Sequence, residues 1–251
     1  MSRTPPIHTR IHTVEVAPPA RERGAHTSSQ LMRLLHLASP ALPVGAFHFS
    51  QGMEYAVEAG WVHDEASARD WIGGVAAASL GTLDLPVLHR LHAAWKRGDD
   101  ADVRRWNAFL IASRETQELR AEDRHMGSAL LRVLVEFGLN SPLFTANSPG
   151  QVGVAYATAF SFACVQWRIG VRDAAQTLAW AWLENQVLAA VKLVPLGQSA
   201  GQRILHTVST PLTALCERSV DLPDSDIGIS TAASAIASGR HESQYTRLFR
   251  S

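Results

Sequence analysis

The chain has 251 residues, and its 23 Lys plus Arg balance its 23 Asp plus Glu, so the formal net charge is zero. That neutrality argues against an electrostatic nucleic-acid binder, which carries a basic surplus. Two cysteines, Cys164 and Cys216, are too few for a disulfide framework or an all-cysteine zinc site. Charged residues make up 18% and hydrophobic ones 46%, against roughly 25% charge in ordinary soluble domains; with so much Ala and Leu, this points to close-packed helices and to surface not meant to stay in water.

In chain order, residues 1–27 are rich in Pro, Arg, His and Thr and have no apolar period, which reads as a disordered N-terminal tail. They contain no apolar core of a secretory signal, and His8, His12 and His26 read as solvated. N-cap residue types at 27–29 precede Leu31, Leu34, Leu35 and Ala38 at helical spacing. Pro40 and Pro43 end that helix, and residues 38–50 form an apolar loop that packs. A second helix is predicted over 51–59, with Glu54 in the first turn, where a carboxylate is favoured. Asp64 caps a longer stretch with Trp71, Val75, Ala78, Leu85, Leu88 and Trp95 as its buried stripe. Gly73, Gly74, Gly81 and Pro86 are expected to break or kink it.

From 102 to 137 the pattern is helical, with one densely charged middle, SRETQELRAEDRH. Residues 139–151 read as a loop and 152–167 as a buried helix. Over 171–194, Leu178, Trp182, Asn185, Ala189 and Lys192 share one face, and Pro195 ends the helix. The last long helix is predicted over 201–218. Residues 221–239 carry little bulk, and the end, HESQYTRLFRS, brings back aromatic and Arg side chains. No period-2 alternation persists, so the expected fold is all-α, a single-domain bundle of roughly eight to ten helices. The bundle domain is placed at 28–220 and a separate C-terminal segment at 221–251. No stretch reaches the roughly 18–20 uninterrupted apolar residues of a membrane span, and a reduced, cytoplasmic protein is the default.

The usual catalytic devices are weak or absent. Residues 197–201 match G-x-S-x-G, with Ser199 as nominal nucleophile and His206 and His241 downstream. A nucleophile elbow needs a strand feeding the turn, and a helix precedes this one, so a Gly-bounded turn is the better reading. His89 and His92 sit at i,i+3 on a helix without a third ligand and read as exposed. His241-Glu242 begins like H-E-x-x-H, but position 245 is Tyr. Neither a P-loop nor a dinucleotide fingerprint occurs. No catalytic, metal or cofactor site is therefore expected. Lys192, on an apolar helix, reads equally as snorkelling or as a partner or internal pair. Tyr245, Arg247, Leu248, Phe249 and Arg250 are residue types that anchor interfaces.

Four blocks taken together, residues 31–62, 113–127, 185–205 and 241–251, resemble the urease accessory protein F (UreF) family. The resemblance implies an all-α homodimer without enzymatic activity. It implies a scaffold that joins accessory protein D (H in some organisms) to the nickel-carrying GTPase, accessory protein G. That complex docks on apo-urease and inserts Ni²⁺. Pro43, Gly45, Ser50, Gln51, Gly52 and Glu54 match one family block. Lys192, Pro195, Leu196, Gly197 and Gln198 match its turn, and His241, Glu242, Arg247, Leu248, Phe249, Arg250 and Ser251 its terminal block; the resemblance implies that the C-terminal segment 221–251 is ordered by binding the D/H partner. Glu54, Lys192 and the tail residues, Tyr245 included, are thus the expected partner contacts. Pro43, Gly45, Gln51, Gly52, Pro195, Gly197 and Gln198 are the expected structural turns. His48 stands where the family often has a small polar residue, so no nickel site is expected there. A second reading is a GTPase-activating protein that supplies Arg120, Arg124 or Arg250 in trans.

Overall fold

Thr27 starts the first helix with a reciprocal cap: its hydroxyl accepts from Gln30 N, and the Gln30 side chain accepts from Thr27 N. This cap opens α1, Ser28–Ala38. In the computed structural model the described residues are 27–141, 143–144, 153–228 and 231–251. The N-terminal tail with His8, His12 and His26, and most of the loop expected at 139–151, fall outside them.

After a short 3₁₀ turn, Ala46–His48, comes α2, Met53–Glu58. Asp64 and Ser67 then form a second reciprocal cap and open α3, Glu65–Val75. The break expected at the glycines and Pro86 does not occur. α3 runs through a π-helical stretch, Ala76–Asp84, directly into α4, Leu85–Arg97. The wider turn places Leu85 N on Leu80 O, five residues back. Pro86 has no N–H to give Thr82 O, and Gly228 N supplies that bond instead, at 3.1 Å.

Gly98 closes α4 in left-handed backbone. The region 102–137 is two helices rather than one. α5, Asp100–Ala112, ends at Ser113, and the Thr116 hydroxyl caps α6, Gln117–Glu136. Four more helices follow: α7, Tyr156–Gln166; α8, Val171–Leu193; α9, Gln198–Arg218; and α10, Ala232–His241. α10 lies in the stretch read as poor in structure. Its Ala and Ser residues suit a helix that must lie close to another, and the Thr231 hydroxyl caps it.

Counting Glu65–Arg97 as one, the described residues form nine helices in a single body and no strand, an all-α single-domain bundle as predicted. α7 is its centre, buried on every side from Ala157 to Cys164 and packed between α4 and α6. Phe160, Leu88, Leu91, Leu110, Leu130 and Leu134 are fully buried. α8 packs on α9 and α1, and α10 on α2. The joined helix Glu65–Arg97 has 33 residues and is long and apolar enough to cross a membrane; more than half of its most apolar window is buried within the bundle, as in a core helix.

Candidate functional site

Glu54 is 8% exposed although it sits in the first turn of α2. The residues before it explain how it is aimed. Gln51 and Gly52 both have positive φ, 55° and 81°. A β-carbon on Gly52 would stand 2.7 Å from Ser238 N, so only glycine lets α2 meet α10 this closely. With that contact made, the Glu54 carboxylate faces the C-terminal segment. It accepts from Leu248 N at 2.6 Å and Phe249 N at 2.8 Å.

His241, at the end of α10, is 0% exposed. Its Nε2 lies 3.2 Å from Glu54 Oε2 and its Nδ1 2.6 Å from Glu118 Oε2. Each imidazole nitrogen thus faces a carboxylate oxygen from a different helix. Glu118 also accepts from Arg247 Nη1 at 2.6 Å. The Glu242 carboxylate accepts from Gln117 N at 2.7 Å and Glu118 N at 3.2 Å, capping the N-terminus of α6 where negative charge is favoured. The end of the segment is held as firmly. Ser50 donates to the backbone oxygen of Ser251 through its N and its Oγ, and Arg250 N donates to His48 O at 2.8 Å.

Ser251 Oγ donates to Glu122 at 2.7 Å, and Gln51 Nε2 donates to the same carboxyl at 2.8 Å. Gln51 accepts in turn from Trp182 Nε1 at 2.9 Å. Burial pushes the Glu122 carboxyl up to about 7, against these two hydrogen bonds. Below it Arg114 joins Asp123, 2.9 Å from Nε, to Asp84. Burial works against that guanidinium, but Asp84 and Asp123 outweigh it and hold Arg114 charged. A cavity of about 120 Å³ opens beside the network, lined among others by Asp84, Arg114, Glu122, Met126, Tyr156 and Trp182.

The fold therefore gathers Gln51, Glu54, His241, Glu242, Arg247 and Phe249 into one cluster. Lys192 is exposed rather than buried. Its ammonium lies 5.9 Å from the ring centre of Phe47 and 5.6 Å from that of Phe249, within cation–π reach. Tyr245 is fully exposed, Leu248 67% exposed, and the Arg250 side chain faces solvent. Gly45 opens the 3₁₀ turn at φ 79°, Pro43 and Pro195 are exposed in loops, Gly197 precedes α9, and Gln198 begins it.

Sequence reading matched Ser50 to a family block without giving it a role, and it missed Arg114, Glu118, Glu122 and Asp123. A dense charged run in a chain of so little charge was the available signal. His89 and His92, read as exposed, are buried instead, because α4 is covered on that face. His89 Nε2 pairs with Ser219 Oγ and His92 Nε2 with Ile169 O, each at 3.0 Å. Burial, with Arg90 and His92 adding to it, lowers His89 to about 4. Ser199 lies in the first turn of α9 with no strand before it among the described residues, so the elbow geometry is missing. No group of three or more His, Cys, Asp or Glu residues placed to share a metal occurs among the described residues.

The UreF family model matches residues 62–209, more than half of the chain. The chain belongs to the UreF family. The match holds Glu118, Glu122 and Lys192 but stops short of the C-terminal segment. Relatives align over most of their length. The urease accessory protein UreF of Azoarcus sp. (strain BH72) is 50% identical over 228 residues, 88% of this chain and 95% of the relative. That of Teredinibacter turnerae is 46% identical over 227 residues, 89% and 100%. That of Klebsiella pneumoniae subsp. pneumoniae is 43% identical over 225 residues, 90% and 99%. UreF is thus a family of urease accessory proteins, as the four sequence blocks implied.

Proposed function

We propose that this chain serves urease maturation as a scaffold with no catalysis of its own. It joins accessory protein D (or H) to the nickel-carrying GTPase G, docks with them on apo-urease and regulates GTP-dependent nickel insertion. It works in the cytoplasm as a homodimer, away from membranes and nucleic acid, and needs no cofactor. The exposed side chains of the C-terminal segment, Tyr245, Arg247, Leu248 and Arg250, contact the D/H partner together with Lys192, while the buried Glu54, His241 and Phe249, also expected as partner contacts, hold the segment in place.

The form of the C-terminal segment carries this reading. Its backbone is tied down by Glu54, Ser50 and His48, while Tyr245 and Leu248 point outward beside Arg247. A chain that only needed to close its own core would turn those side chains in. Held outward on a fixed backbone, they are anchors prepared for a partner at low entropic cost.

The test is co-purification with D/H and G, separately and together. Deleting residues 241–251 is expected to weaken capture of D/H at least tenfold while the circular dichroism of the bundle is kept. Glu54→Ala, which frees the tail backbone without removing a contact side chain, is expected to weaken capture to a smaller extent. Unchanged capture by both variants counts against the tail as an interface.

The exposed Arg250 side chain also favours a second reading, a GTPase activator acting in trans. Arg120 fits that role less well, since its Nη1 is engaged by Arg114 O at 2.6 Å. GTP turnover by G with and without this chain separates the two: complex formation without stimulation leaves only the scaffold.

A further inference from the structure

The carboxyl of Glu122 lies where the C-terminal segment meets the bundle, and its neighbours leave it little freedom. Gln51 Oε1 accepts from Trp182 Nε1 at 2.9 Å and Gln186 Nε2 at 3.4 Å, which fixes the Gln51 amide with its Nε2 on Glu122 Oε1 at 2.8 Å. A proton on Glu122 therefore belongs on Oε2, which faces Ser251 Oγ at 2.7 Å. A serine hydroxyl accepts as well as donates, so this contact survives when the carboxyl is neutral. The ionised form is worse placed. A carboxylate has sites for about four donors, and among the described residues Glu122 meets these two. The charged groups lining the same cavity are Asp84 from the π-helical stretch, Arg114 and Glu115 from the link before α6, Asp123 on α6 and Glu184 on α8, with Tyr156 of α7 beside them. Arg114 is committed to Asp84 and Asp123, and Asp123 opposes a charge on Glu122 where Arg114 favours it. Ser251 covers the carboxyl from residues 242–251, which form no helix, and it is fully buried there.

We propose that Glu122 is a proton-operated latch on the C-terminal segment: the neutral carboxyl keeps the segment docked, and ionisation releases residues 245–251 while the helices stay folded. An ionised Glu122 gains from water, and the element over it that moves at least cost is the segment, held by hydrogen bonds alone, whereas α6 and α8 are built into the core. Burial raises this carboxyl to about 7, which puts the change in the neutral range. A group raised in the docked form favours docking at low pH, and that preference is lost as pH rises through 7. The other titratable groups facing the segment are Glu54, Glu118 and His241 at its base, and His125 near Arg250. The latch deepens the scaffold reading by making partner capture depend on pH, and that consequence rests on the scaffold reading. The latch itself is read on the chain alone, so the two can fail separately.

The experiment is hydrogen exchange of the full chain by mass spectrometry at pH 6, 7 and 8, corrected for the intrinsic pH dependence of amide exchange. The amides of Leu248, Phe249 and Arg250, held by Glu54 and His48 O, report on the segment, and those of α7 on the bundle. Opening of the segment is expected to increase about tenfold from pH 6 to pH 8, and its amides should exchange far faster than those of α7 at each pH. Glu122→Gln, which keeps a donor toward Ser251 and cannot ionise, is expected to hold the segment docked at both ends of the range. Ser251→Ala removes the covering hydroxyl and should raise opening severalfold at pH 6. A flat profile in the parent chain overturns the latch. So does an equal rise in Glu122→Gln, which assigns the effect to His241 or His125, and so do equal rates in the segment and α7, which mark unfolding of the whole bundle. Unchanged opening in Ser251→Ala overturns the part given to its hydroxyl.

Discussion

Glu122 shows what burial does to a single side chain here. Its carboxyl takes hydrogen bonds from Ser251 and Gln51, yet desolvation raises it from an ordinary 4.5 to about 7. A carboxyl raised in the folded state favours folding while protonated. That contribution is whole below about pH 4.5 and is lost as pH rises through 7. Glu122→Gln keeps the shape and both hydrogen-bonding partners but has no proton to lose. The variant is expected to match the natural chain near pH 4.5 and to exceed it by on the order of 3 kcal/mol at pH 8. Urea unfolding at the two pH values measures this, and parallel curves would show Glu122 to be ionised at little cost. Nothing in the local sequence singles out Glu122 from Glu115 or Glu118, because burial is decided by the elements above it. Glu54 was legible as a favoured first-turn carboxylate, but its three hydrogen-bond partners come from residues 187 and more positions away.

Packing between elements turns on a few places where backbones nearly touch. At the crossing of α6 with the start of α7, a β-carbon on Gly127 would stand 2.2 Å from Val154 O. That oxygen is backbone, fixed by Asn107, which bonds Gly153 O and Ala155 N on either side. Gly127→Ala gains up to about 1 kcal/mol of helix propensity, and the overlap outweighs it. A net loss of about 1–3 kcal/mol, read as a lower urea midpoint, is expected; an unchanged midpoint would mean that the two helices can part freely. The same level explains two errors of sequence reading. Pro86 did not end its helix because a π-turn and a distant Gly228 N–H satisfied the backbone. α10 was missed because small residues give no hydrophobic period, although small residues are what the approach to Gly52 requires.

Across the whole molecule, apolar side chains are left in solvent on two neighbouring helices: Leu31, Met32 and Leu35 on α1, and Trp180 and Leu188 on α8. Contiguous exposed apolar surface marks interfaces, in keeping with the proposed homodimer and with so little charge on the chain. Light scattering on the purified chain is expected to give about twice 27.3 kDa; the mass of one chain at micromolar concentration would oppose the dimer. Composition, the 3.6-residue period and the cap residues were sufficient by themselves for an all-helical fold, because those preferences act within a few residues of one another. The four sequence blocks were likewise sufficient for the family. Which charges are buried and what Glu54 and His241 hold were decided only by tertiary structure. Each depends on groups far apart in the chain, and local sequence cannot say which helix will cover which.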